Sequence, residues 1–173
     1  MLKRFLYRVL RWLVPVSFNI LNGILAGNLP PLGSSCVIVE DQGRFLLVKM
    51  PGHRLVFPGG FMRWREQPAE TAQRECREET GLEVQMLDTI GTYATTSTRI
   101  DRMSSLMIVF AGEVIGGALR GSIEGHPCWL NEADMRKGLE KYFTRILEDY
   151  FAYRKQLQAR ASLDIAAPDL TKE

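Results

Sequence analysis

The first 39 residues contain no aspartate or glutamate, although the 173-residue chain carries 20 of them. That absence separates a basic start, with Lys3, Arg4, Arg8 and Arg11, from a remainder of 18 basic and 20 acidic side chains. The formal net charge of +2 is small, so no specific nucleic-acid binding is expected. Cysteine is scarce too. Cys36, Cys76 and Cys128 make an odd count without a Cys-x-x-Cys pair, which argues against a disulfide framework and for a reducing compartment. His126 and Cys128 stand two apart, but a zinc site takes four ligands and nothing supplies the others. No internal repeat is visible. What is left is a globular composition, 46% hydrophobic and 24% charged, at a length that fits one domain with an appendage.

Residues 12 to 29 form an uncharged stretch of 18 residues, long enough for a membrane span to be considered. Asn19, Asn22 and Asn28, with Pro15, Gly23 and Gly27, make it a poor one. The basic residues ahead of it would also hold the N-terminus inside and export the domain that follows. A signal peptide has the same defect. Before it, Leu2, Phe5, Leu6, Val9, Leu10 and Leu13 recur at helical spacing with the four basic residues on another face, and Pro15 is expected to interrupt that helix. Two readings stay open for residues 1–30. One is a basic amphipathic helix on anionic lipid; the other is a helix packed on the domain or on a second subunit, as in a homodimer. The expected organisation is a helical extension and linker over residues 1–32, a domain over 33–158 and a polar tail over 159–173, with Pro30, Pro31 and Gly33 marking the linker.

Beyond the linker the chain reads as short strands and helices. Cys36 to Glu40 and Phe45 to Met50 flank the turn Asp41-Gln42-Gly43, which predicts a hairpin. Leu55 to Phe57, Leu82 to Leu87, Thr89 to Thr96, Leu106 to Val114 and Cys128 to Leu130 read as further strands. Asn131 is placed to cap a short helix, and a long helix is expected from Leu139 to about Gln158. Strands, a central helix, more strands and a terminal helix imply an α/β fold with a mixed sheet between helices.

The stretch with the most chemistry is Gly60 to Leu82, GFMRWREQPAETAQRECREETGL. As a helix from Gln67 to Thr80, it gathers Glu75, Glu78 and Glu79 within an arc of about 100°, beside a strip of small residues, Ala69, Ala72, Cys76 and Thr80. Pro68 suits the first turn and Gly81 the left-handed position that ends a helix. Three like charges on one face repel one another. They are kept either as a solvated surface or as oxygen ligands for a hard divalent cation.

A resemblance in the wider pattern bears on the choice. Gly60, Glu66, Arg74-Glu75, Glu78-Glu79 and Gly81 occupy all the identity positions of the Nudix box, with Cys76 and Leu82 at its hydrophobic positions. The segment therefore resembles the signature of the Nudix hydrolases. A chance match at a given position is on the order of one in 10⁸ for residue types of ordinary abundance. The resemblance implies the family's α/β/α sandwich. It also implies hydrolysis, dependent on Mg²⁺ or Mn²⁺, of a phosphoanhydride bond in a nucleoside diphosphate linked to another moiety. Carried onto this chain, it makes Glu75, Glu78 and Glu79 the metal ligands, with the Gly60 carbonyl as a further one. Arg74 would orient the carboxylates, and Glu66 would support the loop or reach the metal through water. Glu124, five residues before Trp129, corresponds to a loop glutamate that binds metal or acts as general base in many members; His53 and His126 are its competitors.

For the substrate, the loop Phe61-Met62-Arg63-Trp64-Arg65 offers Trp64 for stacking on a base and Arg63 or Arg65 for a phosphate. No proline occurs at the downstream spacing associated with ADP-ribose hydrolases, and the arginine-rich upstream pattern of coenzyme A hydrolases is missing. The expectation is a cytoplasmic enzyme, peripheral at the inner membrane face if residues 1–30 bind lipid. The rivals are a non-catalytic nucleotide-binding regulatory module and a membrane-surface interaction protein.

Overall fold

Apolar residues alternate on both sides of the central strands, so the sheet has two faces to cover. The computed structural model describes residues 2–122 and 125–166. Its elements run α1 (Leu2–Ile24), β1 (Leu32–Asp41), β2 (Arg44–Lys49), β3 (Leu55–Val56), β4 (Gly59–Phe61), α2 (Pro68–Thr80), β5 (Leu82–Thr95), β6 (Ser105–Gly117), β7 (His126–Asn131), α3 (Glu132–Gly138) and α4 (Tyr142–Ala166). The sheet is ordered β3-β2-β1-β6-β5, with β4 paired to β1 and β7 paired to β2. β1 and β6 run parallel and every other pairing is antiparallel, so the sheet is mixed.

On β1, Cys36 and Ile38 face one way and Val37 and Val39 the other, all but excluded from solvent. The first pair joins Phe45, Leu47, Phe57, Val109, Met135, Ile146 and Leu147 under α3 and α4. The second pair joins Leu46, Leu82 and Val84 under Ala72 and Cys76 of α2. The result is the expected α/β/α sandwich. Its α2 layer lies close to the sheet because the residues it buries are small. Thr80 ends this packing, donating to the Cys76 carbonyl at 2.6 Å and accepting from the Leu82 N–H at 3.1 Å. Gly81 then turns the chain at φ 77°, where a β-carbon would strike the Ala118 carbonyl.

Three expectations are corrected. Pro15 does not interrupt the first helix, which continues to Ile24. A proline removes one N–H and one rung of the ladder, and the residues on either side carry the helix through it. The two strands expected around Asp88 are one, β5, because register shifts at Glu83/Val84, Met86/Asp88 and Thr89/Gly91 absorb the break in alternation. The terminal helix runs past Gln158 to Ala166, into the segment read as a polar tail.

Candidate active site

The site is built where β4 and the loop after it run alongside α2. β4 is fixed first. Gly59 and Gly60 pair with Cys36 and Ser35 of β1, and the Val37 N–H donates to the Pro58 carbonyl at 3.0 Å. A β-carbon on Gly59 would collide with Cys36, so only glycine lets β4 lie this close to β1. α2 is fixed next. Pro68 opens it, and the Glu70 carboxylate accepts the Gln67 N–H at 2.8 Å.

Between these two elements the three glutamates meet successive residues of the β4 segment. Glu79, only 6% exposed, accepts the Gly59 N–H at 3.0 Å. Glu75 lies against Gly60, where an added β-carbon would come within 2.5 Å of its carboxylate. Glu78 reaches furthest along the loop, accepting from the Arg63 guanidinium at 3.0 and 3.2 Å. The acidic arc read from the helix thus fans out along the strand. Among the described residues no three acidic, histidine or cysteine side chains stand close enough to hold a metal ion as placed.

Arg74 is the hub. Its guanidinium donates to Glu66 at 2.6 and 2.9 Å, to Glu75 at 2.5 Å, to Glu78 at 3.4 Å and to the Phe61 carbonyl at 3.1 Å. These partners, rather than Glu70 one turn away, account for Arg74. Glu66 is a loop staple: it also accepts from the Arg63 N–H at 2.9 Å and the Thr71 hydroxyl at 2.8 Å. The Arg74 hydrogen bonds, helped by those of the Arg63 N–H and Thr71, hold the Glu66 carboxyl down at about 2, against an ordinary 4.5. Arg74 is in turn pushed further up by Glu66 and then Glu75, so its charge is permanent. Thr71, wholly buried, is a member of this network that the sequence reading missed. Its only signal is its place five residues after Glu66, which means nothing until the loop folds back.

The other sequence candidates are distributed as follows. Trp64 is 86% exposed, with the Arg65 guanidinium 5.9 Å from its ring centre, and Arg65 sits at a left-handed φ of 65°. Both belong to the loop that Glu66 anchors, while Arg63 is turned to Glu78. His53 lies in the turn before β3, and His126 opens β7 opposite Lys49. Glu124 lies outside the described residues. Burial pushes the Cys36 thiol far up and raises Cys76 to about 11, so neither behaves as a nucleophile at neutral pH.

Comparisons with known proteins agree with this geometry. A family profile for the NUDIX domain matches residues 29–150. An ADP-ribose pyrophosphatase of Methanocaldococcus jannaschii is 28% identical over 121 residues, which cover 68% of this chain and 71% of that protein. A MutT-like protein of Streptomyces ambofaciens is 30% identical over 125 residues, 69% of this chain and 78% of that one. Among solved structures, a NUDIX hydrolase from Nitrosomonas europaea has the same fold, with a TM-score of 0.65 at 22% identity over 71% of this chain and 90% of its own. With the signature of α2, the sandwich and the family match in agreement, the chain belongs to the NUDIX domain family and is a Nudix pyrophosphohydrolase.

Proposed function

We propose that the enzyme cleaves a phosphoanhydride bond in a nucleoside diphosphate linked to another moiety, with Mg²⁺ or Mn²⁺ as cofactor. One observation carries this reading: Glu75, Glu78 and Glu79 are each set against the β4 segment at Gly60, Arg63 and Gly59, with the partly buried Arg74 among them. The residues fit a hard divalent cation in two respects. Their donors are all carboxylate and carbonyl oxygens, and the bare Cα of Gly60 leaves room for the Glu75 carboxylate. The holders would be Glu75, Glu78, Glu79 and the Gly60 carbonyl, with Glu124 as a further one. When bound, such a cation neutralises phosphate charge and lowers the pKa of a coordinated water.

The chain's own residues do the rest. Arg74 aims the Glu75 carboxylate, because its charge is permanent and its other hydrogen bonds fix its plane. Glu66 holds the loop so that Arg63 and Trp64 stand at its exposed end. There Trp64 offers a ring face to a base, and Arg63 or Arg65 a charge to a phosphate. Proton transfer from the attacking water falls to Glu124 where it is left out of the metal's ligands, and to His126 or His53 where Glu124 is one of them. The reducing, nucleotide-containing cytoplasm is the compartment we propose, in keeping with three free cysteines.

The test is a screen with Mg²⁺ and with Mn²⁺ over nucleoside diphosphate sugars, dinucleotides, nucleoside triphosphates and coenzyme A, in which added phosphatase and pyrophosphatase convert the products to inorganic phosphate. ADP-ribose heads it, since the relative from M. jannaschii is named for that substrate. Against whichever compound turns over, Glu78→Gln and Glu79→Gln should each lower kcat by about 10²-fold or more, with the fold kept. Near wild-type rates in either variant at saturating metal would overturn the ligand assignment.

A further inference from the structure

The helix α1 is attached to the domain by its polar side. Pro15 is buried, and the Asn19 amide donates to the carbonyls of Ile100 and Arg102 at 2.8 and 2.9 Å. Asn22 accepts the Leu29 N–H at 3.0 Å, tying back the turn that follows. At 100° per residue these three positions fall within about 60° of one another. On the opposite side Leu13, Val14, Ile20, Leu21 and Ile24 fall within about 120°, and they are 43 to 75% exposed. Among the described residues, neither apolar core of the domain includes one of α1. An amphipathic helix that served only to complete the core would face the other way, so this apolar stripe is aimed at something outside the domain.

We propose that α1 is a docking face for an anionic lipid bilayer, lying in the headgroup region and leaving the domain on its water side. The charge of the segment selects this occupant. Residues 1–39 carry Lys3, Arg4, Arg8 and Arg11 and no acidic side chain. A second copy docked through the same stripe would bring two such basic sets together with no carboxylate from either segment to offset them. A surface of anionic headgroups reverses that sign, and basic residues on the polar face of an interfacial helix are drawn to it. Spanning is not in question: no helix among the described residues is long and apolar enough to cross a membrane.

The experiment is flotation of the full-length protein with vesicles of phosphatidylcholine alone and with about one quarter phosphatidylglycerol, in low salt and in about 0.5 M salt. The same samples are run by size exclusion with light scattering. Binding is expected to the anionic vesicles, to fall several-fold in high salt, and to weaken by about ten-fold or more in Ile20→Gln/Ile24→Gln. Both positions are exposed, so an unchanged melting curve by circular dichroism will show that the fold is kept. No binding to anionic vesicles at low salt, or equal binding to both compositions, overturns the proposal. So does a dimer that the double substitution dissociates while vesicle binding stays the same, which assigns the stripe to a second copy of the chain.

Discussion

Glu66 and Arg74 are 13 and 10% exposed, and between them they join β4, the loop and α2. Replacing Glu66 by Gln keeps the shape, removes the charge facing Arg74 and weakens the Thr71 and Arg63 contacts. It should destabilise the fold by roughly 2 kcal/mol at neutral pH, less than for a fully buried pair. The folded-state pKa of Glu66 is depressed to about 2, so its contribution is present above its ordinary 4.5 and is lost as pH falls through about 2. Urea denaturation of both proteins from pH 7 downward should show the gap closing across that window. A gap independent of pH would assign the loss to packing instead. Arg63 differs in being 62% exposed, with Glu78 at 46%. Such a pair is worth up to about 1 kcal/mol. With Glu78 in its proposed role as a metal ligand, Arg63 would compete with the cation for it, so Arg63→Ala should tighten Mn²⁺ binding by up to about five-fold in calorimetry, an effect that shrinks in high salt. Unchanged or weaker affinity would show that Arg63 does not mask this carboxylate. A raised KM in the same variant would place it on the substrate as well.

At the scale of elements, the distance between α2 and the sheet governs the site. Ala72 and Cys76, both wholly buried, set that distance, while Glu75 and Glu79 flank Cys76 and reach back to β4. Cys76→Leu adds volume to a layer with nowhere to expand and should cost about 1–3 kcal/mol. Because the helix can relieve the overlap only by lifting, the variant should also lose hydrolysis at temperatures where it is fully folded. Loss of stability with full activity would mean that the strain is absorbed elsewhere, away from the carboxylates. The bulges of β5 show the same economy in a strand. Asp88, opposite Ala111, falls between two register shifts, so one strand keeps Val84 and Tyr93 buried despite the polar break.

For the whole molecule, the two cores close over the sheet without any of the described residues of α1. Phe45, Phe57, Ile146 and Leu147 fill one side, and Val37, Val39, Leu46 and Cys76 the other. The layer that carries the Nudix box and the described part of α1 are therefore separate in their core packing. The C-terminal helix is bound to β1 through Tyr150 and Arg154, both donating to Glu40 at 3.1 and 2.6 Å.

Some of this was legible in the chain before it folded. The box from Gly60 to Leu82 named its helix, its start at Pro68 and its stop at Gly81. Period-two alternation marked most strands, and Asn131 marked the cap of α3, where its side chain accepts the Asp134 N–H at 2.8 Å. These are local properties, set by neighbours within a few residues, and periodicity and capping chemistry report them. The division of labour among the glutamates was not local. On the helix Glu75, Glu78 and Glu79 are equivalent members of one acidic arc. Only the approach of β4 gave Glu79 a backbone N–H, Glu75 the bare face of Gly60 and Glu78 an arginine. The direction of α1 was likewise undetermined. Its two faces are plain in the sequence, but which one meets the domain depends on the carbonyls of Ile100 and Arg102, some 80 residues away, that receive Asn19.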